Sequence, residues 1–294
     1  SAKYFVMAAT PSRYYIFAGG PSLATTFAGY AKRQPLCVAL PTPNPAGQLI
    51  FYSKAGGRRA PERFAWSSGE GIYHGTLSLG ALQIDSSECI ASPAIVPYPP
   101  PVGGAPLALA VTEYTYVMLT AAGRLVAINS VSEVIVADIP LAAVAPGAGP
   151  FLGIATDAAA GTFYLYAEGG LYEVVARDEG RDMWTVHLAR REYAQALEHC
   201  RTTAQRDQVL TVQAEEAFGR GDFVKSATLW AKTTSAASFE QIALKFVEAG
   251  DPEALRTFLL FKQDHIPKDR RAQLTLVATW LCELYLDAIH QAEL

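Results

Sequence analysis

The sequence has 294 residues, of which 50% are hydrophobic and 18% are charged, and this composition excludes an intrinsically disordered chain. The formal net charge of −4 gives no electrostatic reason to expect nucleic-acid binding. The two longest apolar stretches, near residues 107–128 and 274–286, are interrupted by Glu113, Arg124 and Glu283, so the sequence predicts no membrane span.

The hydrophobic pattern changes once along the chain, near Ala176. Before this point apolar residues alternate with a period of two, as in strands, and after it they follow the 3.6-residue period of helices. This segregation predicts an all-β module over residues 1–178 and an all-α module over residues 179–294. Residues 177–181 contain four charged residues and one glycine, so we expect an exposed junction there.

The first module is a series of short β-rich runs separated by turn residues. Near its start, residues 4–9 and 13–18 flank Thr10, Pro11 and Ser12, which predicts a β-hairpin. The same pattern recurs further along the module. The later runs are 114–120, 124–129, 151–156, 162–167 and 171–176.

A β-sandwich and a β-propeller both fit this pattern of short strands. Hairpin centres near Pro11, Gly69, Gly123 and Gly161 are about 40 to 60 residues apart, which is close to the spacing of four-stranded blades and favours a propeller. The module is long enough for about four blades, so we expect the C-terminal part of a larger propeller. Because the first run begins almost at Ser1, without an initiator methionine, we also expect further chain upstream.

The second module contains a repeat of about 30 residues. Each copy places small residues beside large apolar residues on one helical stripe, which lets neighbouring helices pack closely and predicts an α-solenoid. Asp222 and Asp251 are expected to cap their helices, with Pro252 in the first turn. The copies are Tyr193, Ala196, Leu197 and Cys200; Phe223, Ser226, Ala227 and Trp230; and Pro252, Ala254, Leu255 and Phe258.

The last predicted helix covers about residues 267–290 and is apolar on more than one side. Leu276, Trp280 and Leu286 lie away from its main apolar stripe, whereas a solenoid end cap has a polar outer face. We therefore expect more repeats to follow in the intact protein. The side chains predicted to pack between the solenoid helices are Tyr193, Leu197, Phe223, Trp230, Leu255, Phe258 and Trp280.

The sequence offers no convincing site for chemistry. Two glycine-rich segments, residues 69–75 and 147–153, resemble nucleotide-binding loops, but neither has the strand–loop–helix context that such a loop requires. The histidines show no metal-ligand spacing with the cysteines or carboxylates, so neither a metal nor a cofactor is predicted. The histidines are His74, His187, His199, His265 and His290.

Two further features bear on partners and compartment. Lys54, Arg58, Arg59 and Arg63 form a basic cluster around a Gly-Gly pair, which we interpret as a solvated loop, with a partner or an acidic membrane surface as the alternative. The four cysteines are far apart and the start of the chain lacks a signal-peptide pattern, which favours a reduced, cytosolic compartment. The cysteines are Cys37, Cys89, Cys200 and Cys282.

Several segments on both sides of the junction resemble the vacuolar protein sorting-associated protein 18 (deep orange) family. The resemblance covers nearly the whole chain, is strongest after Gly153 and is looser around residues 35–60. The segments in the first module are 64–75, 110–114, 153–157 and 172–175. Those from the junction onwards are 178–184, 213–215, 238–246 and 278–286.

The resemblance implies a propeller followed by a solenoid, in a class C subunit of the HOPS and CORVET complexes, which tether endosomal and vacuolar or lysosomal membranes before fusion. It further implies a scaffold that is not an enzyme, whose partners are other class C subunits, and a cytoplasmic location on late endosomes and vacuoles or lysosomes through those partners. The family's C-terminal RING-type zinc domain has no counterpart in this sequence, so its metal binding is not carried over.

Two alternatives to this hypothesis remain at this point. Another propeller–solenoid protein, such as a coat, nucleoporin or ciliary transport subunit, has the same architecture. A propeller enzyme with a helical appendage belongs to a different class, and a convergent polar pocket with perturbed pKa values would favour it.

Overall fold

The computed structural model describes residues 4–54, 61–77, 90–157, 160–234 and 239–293. The chain divides into two compact units, Ser1–Glu179 and Gly180–Leu294. Every described strand lies in the first unit, and the described part of the second unit is helical. The two units are considered separately below.

The described residues of the first unit form four antiparallel sheets, each built from strands that are consecutive in the chain. The first two sheets contain β1 (Tyr4–Ala9), β2 (Arg13–Gly19) and β3 (Leu36–Ala39), and β4 (Leu49–Tyr52), β5 (Arg63–Ser67), β6 (Gly71–Leu77) and β7 (Ile90–Pro97). The last two contain β8 (Ala108–Val111), β9 (Thr115–Leu119), β10 (Arg124–Asn129) and β11 (Ile135–Pro140), and β12 (Phe151–Asp157), β13 (Thr162–Ala167) and β14 (Gly170–Val174).

This up-and-down order is that of propeller blades. β8 contacts both β4 and β12, although each of these strands belongs to a different sheet. The first strands of three successive sheets therefore lie side by side, as the innermost strands of neighbouring blades do. The four sheets do not close into a ring, so the unit is a partial β-propeller.

The two-residue alternation of the strands places the second and third sheets each between two apolar cores. On β9, Tyr116 and Met118 pack against the second sheet, whereas Val117 and Leu119 pack towards the fourth. A third core joins the first and second sheets around Tyr14, Phe64 and Trp66. Because both faces of the central blades are covered, their strands are almost continuously apolar.

In the parts of the first unit that the structure describes, two short helices occur between strands, α1 (Leu23–Ala28) and α2 (Leu141–Val144). α1 begins with a capping box, in which Ser22 Oγ accepts from the backbone N–H of Thr25 and Thr25 Oγ1 accepts from that of Ser22. The sequence analysis missed both helices because neither is long enough to show a 3.6-residue period. With six and four residues, they leave the segregation of strands and long helices intact.

The second unit is an α-solenoid in which helices contact their neighbours along the chain, and α6 also packs against α8. Its helices are α3 (Met183–Ala189), α4 (Tyr193–His199), α5 (Thr203–Gly219), α6 (Phe223–Ala231), α7 (Phe239–Glu248), α8 (Pro252–Gln263) and α9 (Arg271–Glu293). None of the described helices combines the length and the apolar character needed to cross a bilayer.

The predicted helix caps at Asp222 and Asp251 are confirmed. The Asp222 carboxylate accepts from the backbone N–H of Lys225, and the Asp251 carboxylate accepts from that of Ala254, with Pro252 at the first helical position. The residue before each cap is a glycine with a positive φ, +79° at Gly221 and +68° at Gly250. Glycine is required there because other residues are strained in this left-handed conformation.

The last helix begins later than predicted. α9 starts at Arg271, whereas Pro267 lies in the preceding turn, where its carbonyl accepts from the N–H of Arg270 at 2.9 Å. Apolar residues continue through this turn, since Ile266 packs against the solenoid core. Periodicity alone therefore placed the start of the helix too early.

Candidate interaction surfaces

Three of the seven side chains predicted to pack between the solenoid helices are buried in the solenoid core. Trp230, Leu255 and Phe258 are buried in one cluster. Phe223 and Trp280 are half-buried against the same cluster. The remaining two, Tyr193 and Leu197, are half-buried in a smaller cluster built around Trp184, Ala196 and Val209.

Small residues allow α5 and α6 to approach closely. Ala214, Ser226 and Ala227 have no solvent exposure. The Ser226 hydroxyl donates a 2.8 Å hydrogen bond to the backbone carbonyl of Ala214 on the facing helix. The Ser226 hydroxyl therefore has a hydrogen-bond partner within the core, as buried polar groups require.

α9 presents an exposed apolar strip near its C-terminal end, which consists of Tyr285, Leu286 and Ile289. Leu276 and Leu286 are 60% and 64% exposed. The sequence analysis grouped Trp280 with these two leucines, but Trp280 packs against the solenoid core. An exposed strip of this kind on a solenoid is a candidate surface for contact with another element.

The first unit carries a polar cluster at the turn between β8 and β9. The Lys54 ammonium forms a 2.6 Å ion pair with the Glu113 carboxylate. The Arg63 guanidinium donates to the carbonyls of Thr112 and Glu113 at 2.7 and 2.8 Å. Burial opposes the ionisation of Glu113, but hydrogen bonds from Lys54 and Tyr114 and the charge of Lys54 outweigh it and hold the pKa of Glu113 below its ordinary value.

These contacts change the interpretation of the predicted basic cluster. Arg63 lies on β5 and is half-buried, so it is a structural donor to a turn and does not belong to a solvated loop. Lys54 is exposed but paired. Arg58 and Arg59 lie outside the described residues.

Glu179, at the end of the first unit, completes the polar cluster. Its carboxylate accepts a hydrogen bond from the Thr112 hydroxyl and another, at 3.1 Å, from the backbone N–H of Tyr114. Thr112 and Glu179 line a cavity of about 500 Å³ together with Tyr52. Sequence reasoning missed this contact because 65 residues separate Tyr114 from Glu179 and no local pattern links them.

The two glycine-rich segments have packing roles. Gly69 and Gly71 flank the tight turn between β5 and β6, where Ser68 Oγ accepts from the N–H of Gly71 at 3.1 Å. A Cβ atom on Gly71 would overlap the Val96 carbonyl. In the second segment, Gly153 lies against the Tyr166 ring with no room for a side chain. Close approach of neighbouring strands explains these glycines without a ligand.

The histidines do not assemble into a site for a metal. Within the described ranges, no group of three or more histidine, cysteine or acidic residues is placed to hold an ion. His187 Nδ1 lies 2.7 Å from a Glu192 carboxylate oxygen, and the His187 ring lies beside that of His199, with centroids 5.0 Å apart. These contacts tie α3 to α4 at the start of the solenoid.

Both units match models of one protein family, in the same order along the chain. Residues 1–176 match the Pep3/Vps18/deep orange beta-propeller domain. Residues 180–293 match the first half of the VPS18 alpha-solenoid domain. The two matches together cover nearly all of the chain.

Curated relatives agree with this match. Vacuolar sorting protein 18 of Arabidopsis thaliana is 39% identical over 300 residues, which cover 98% of this chain and 30% of that protein. The Vacuolar protein sorting-associated protein 18 homolog of Danio rerio is 27% identical over 303 residues, which cover 99% of this chain and 30% of the relative. The Vacuolar membrane protein pep3 of Schizosaccharomyces pombe is 32% identical over 142 residues, which cover 48% of this chain and 16% of that protein.

The chain thus spans about 30% of the length of the first two relatives. That part matches the propeller domain over residues 1–176 and the first half of the solenoid domain over residues 180–293. Because both family models match and the Arabidopsis thaliana relative aligns over 98% of this chain, the chain belongs to the Pep3/Vps18/deep orange family.

Proposed function

We propose that this chain is part of a scaffold subunit of a membrane-tethering complex, which acts in transport and vesicle fusion between endosomes and the vacuole or lysosome. The observation that carries the proposal is the consecutive match of both units to propeller and solenoid models of one vacuolar sorting family. The names of the relatives, a vacuolar sorting protein and a vacuolar membrane protein, support the same process.

The proposed mechanism is mechanical. A propeller offers a broad, rigid face for docking, and a solenoid offers a long surface on which partners are held at defined separations. Polar contacts such as Arg63 with the Thr112 carbonyl and buried contacts such as Ser226 with Ala214 keep these surfaces in place. The chain holds other proteins and transforms no substrate.

The proposed partners are the other class C subunits of the HOPS and CORVET complexes. The chain reaches late endosomal and vacuolar or lysosomal membranes peripherally, through those partners, from the cytoplasm. The propeller part is assigned to residues 1–178 and the solenoid part to residues 179–294 in this proposal.

The test is affinity purification of the full-length protein from its own cells, followed by mass spectrometry. The expected result is recovery of the other class C subunits in near-equal amounts, and missorting of vacuolar cargo when the protein is depleted. Recovery of coat, nucleoporin or ciliary transport subunits in their place would overturn the proposal.

A further inference from the structure

A cavity of about 460 Å³ opens in the second unit, where the C-terminal ends of α6 and α8 meet the starts of α7 and α9. We call it the α8–α9 cavity. Its volume falls in the range of about 300–1,000 Å³ that is typical of ligand sites. It contains none of the residues that the sequence repeat singled out for packing.

One wall of the α8–α9 cavity is apolar. Phe239, Ile266 and Val277 line it and pack into the solenoid core, so this wall is held in place by the fold. Leu276 lies on the same wall but is 60% exposed. An aliphatic group that entered the cavity would cover Leu276 and remove apolar surface from water.

Lys262 also lines the α8–α9 cavity. Lys262 is half-buried, and its Nζ donates a 2.8 Å hydrogen bond to the Thr233 carbonyl, which uses one of the three donors of an ammonium group. The nearby Asp207 carboxylate accepts from the backbone N–H and the hydroxyl of Thr234 at 2.9 and 2.7 Å. Burial lowers the pKa of Lys262, and the negative charge of Asp207 opposes this effect. A half-buried ammonium gains from an anionic partner because it has lost part of its hydration.

Arg270 is a second cation at the α8–α9 cavity, and Glu240 is the one carboxylate among its described lining residues. The buried Asp207 adds a second negative charge next to Lys262. Arg270 is exposed, so it is the cation that an anionic group reaches most readily.

We propose that the α8–α9 cavity binds a short acidic segment of a partner protein, in which an aliphatic side chain lies beside a carboxylate. The aliphatic group packs on Leu276 and Ile266, and the carboxylate meets Lys262 and Arg270. An inorganic anion would leave the apolar residues uncovered, and an uncharged peptide would form no ion pair with Arg270. This inference rests on the proposed function, because it assigns one surface by which the scaffold holds a partner.

The test uses the 294-residue chain and a fluorescently labelled short peptide with a leucine between two glutamates, followed by fluorescence anisotropy. We expect saturable binding that weakens about tenfold when the peptide leucine becomes serine or its glutamates become glutamines. On the protein, Lys262→Gln and Leu276→Ser should each weaken binding by about the same factor. Lys225→Gln, at an exposed lysine of α6, is the matched control and should leave binding unchanged.

Leu276→Ser keeps the experiment decisive if Lys262→Gln disturbs the fold, because Leu276 is mostly exposed. Absence of saturable binding, or binding that ignores Leu276→Ser, would overturn the inference. Binding of inorganic phosphate that depends on Lys262 but not on Leu276 would also overturn the inference, because the cavity would then be a site for a free anion.

The two proposals fail separately in these experiments. Recovery of class C subunits without peptide binding would overturn the α8–α9 cavity assignment alone. Cavity-dependent peptide binding without recovery of those subunits would overturn the proposed function alone.

Discussion

Trp230 and Phe246 meet edge to face, with ring centroids 5.7 Å apart and ring planes at 70°. They join α6 to α7, and both side chains are fully buried. The Lys245 ammonium lies 4.9 Å from the centre of the Trp230 ring, which adds a cation–π contact at the edge of the cluster. This aromatic pair is a central contact between α6 and α7 in the solenoid core.

Replacing Trp230 by alanine should therefore lower the free energy of unfolding of the second unit by about 3 to 5 kcal/mol, since it removes a large buried ring and leaves a cavity. Urea unfolding followed by far-ultraviolet circular dichroism measures the loss. Phe223→Ala is the comparison, and its smaller effect follows from the partial exposure of Phe223. Equal effects of the two variants would contradict this account of the core.

Asp251→Ala should destabilise the start of α8 by about 1 kcal/mol, because the N–H of Ala254 loses its side-chain acceptor. Asp251→Asn keeps a capping oxygen and should retain most of the stability. Glu253→Ala, in the same first turn, is the control for the general loss of negative charge. A similar loss in the alanine variants of Asp251 and Glu253 would show that charge, and not the cap, is responsible.

Glu179→Ala should expose the β8–β9 turn to solvent, because the Tyr114 N–H and the Thr112 hydroxyl lose their shared acceptor. The expected result is faster hydrogen exchange at the Tyr114 amide, which corresponds to a loss of about 1 to 3 kcal/mol of local protection. Glu173→Ala, at an exposed glutamate of β14, should leave this amide protected. Unchanged exchange in Glu179→Ala would show that the contact contributes no stability.

The stability of the first unit should fall as the pH drops below about 6.5, the ordinary pKa of histidine. Burial of His74, and secondarily the positive charge of Arg63, holds the pKa of His74 below that value in the folded state. Between the two pKa values the unfolded chain binds the proton and the folded chain does not, so acid favours unfolding. Above about 6.5 both states are neutral and the effect vanishes.

His74→Phe should flatten this part of the stability profile, measured as the urea midpoint between about pH 7.5 and 5.5. His290→Phe, at an exposed histidine of α9, should not. Glu113 and Glu192, whose pKa values lie below the usual 4.5, lose their stabilising contribution only at lower pH, so they do not obscure the window. An unchanged slope in His74→Phe would contradict the assignment.

The exposed apolar strip on α9 should make the isolated chain self-associate as its concentration rises, because such surfaces seldom stay uncovered. Replacing Leu286 and Ile289 by serine should shift the chain towards the monomer in sedimentation velocity. Both residues are more than half exposed, so the double variant should remain folded. A monomeric parent chain at all concentrations would rule out this role for the strip.

Local patterns predicted part of the regular structure. β10 runs from Arg124 to Asn129, the bounds of the β-rich run predicted after Gly123. The helix starts at Phe223 and Pro252 follow from capping aspartates that act within their own turns. These features depend on residues close together in the chain, and sequence patterns report such relationships well.

The remaining features depend on packing that sequence patterns do not encode. α1 is too short for a periodic signal, although Ser22 and Thr25 form a recognisable capping box. Trp280 faces the core because α9 packs against α8, and the sequence alone did not fix that rotation. Lys262 and Leu276 share a cavity only because α8 and α9 meet near their ends.

The apolar packing of the described residues of the second unit is divided between two clusters, and this organisation has a mechanical consequence. The larger cluster joins α5 through α9, the smaller one joins α3, α4 and α5, and α5 contributes side chains to both. A force applied at the two ends of the unit must therefore pass through α5. The smaller cluster buries fewer side chains, so the unit should lengthen at α3 and α4 before the larger cluster breaks.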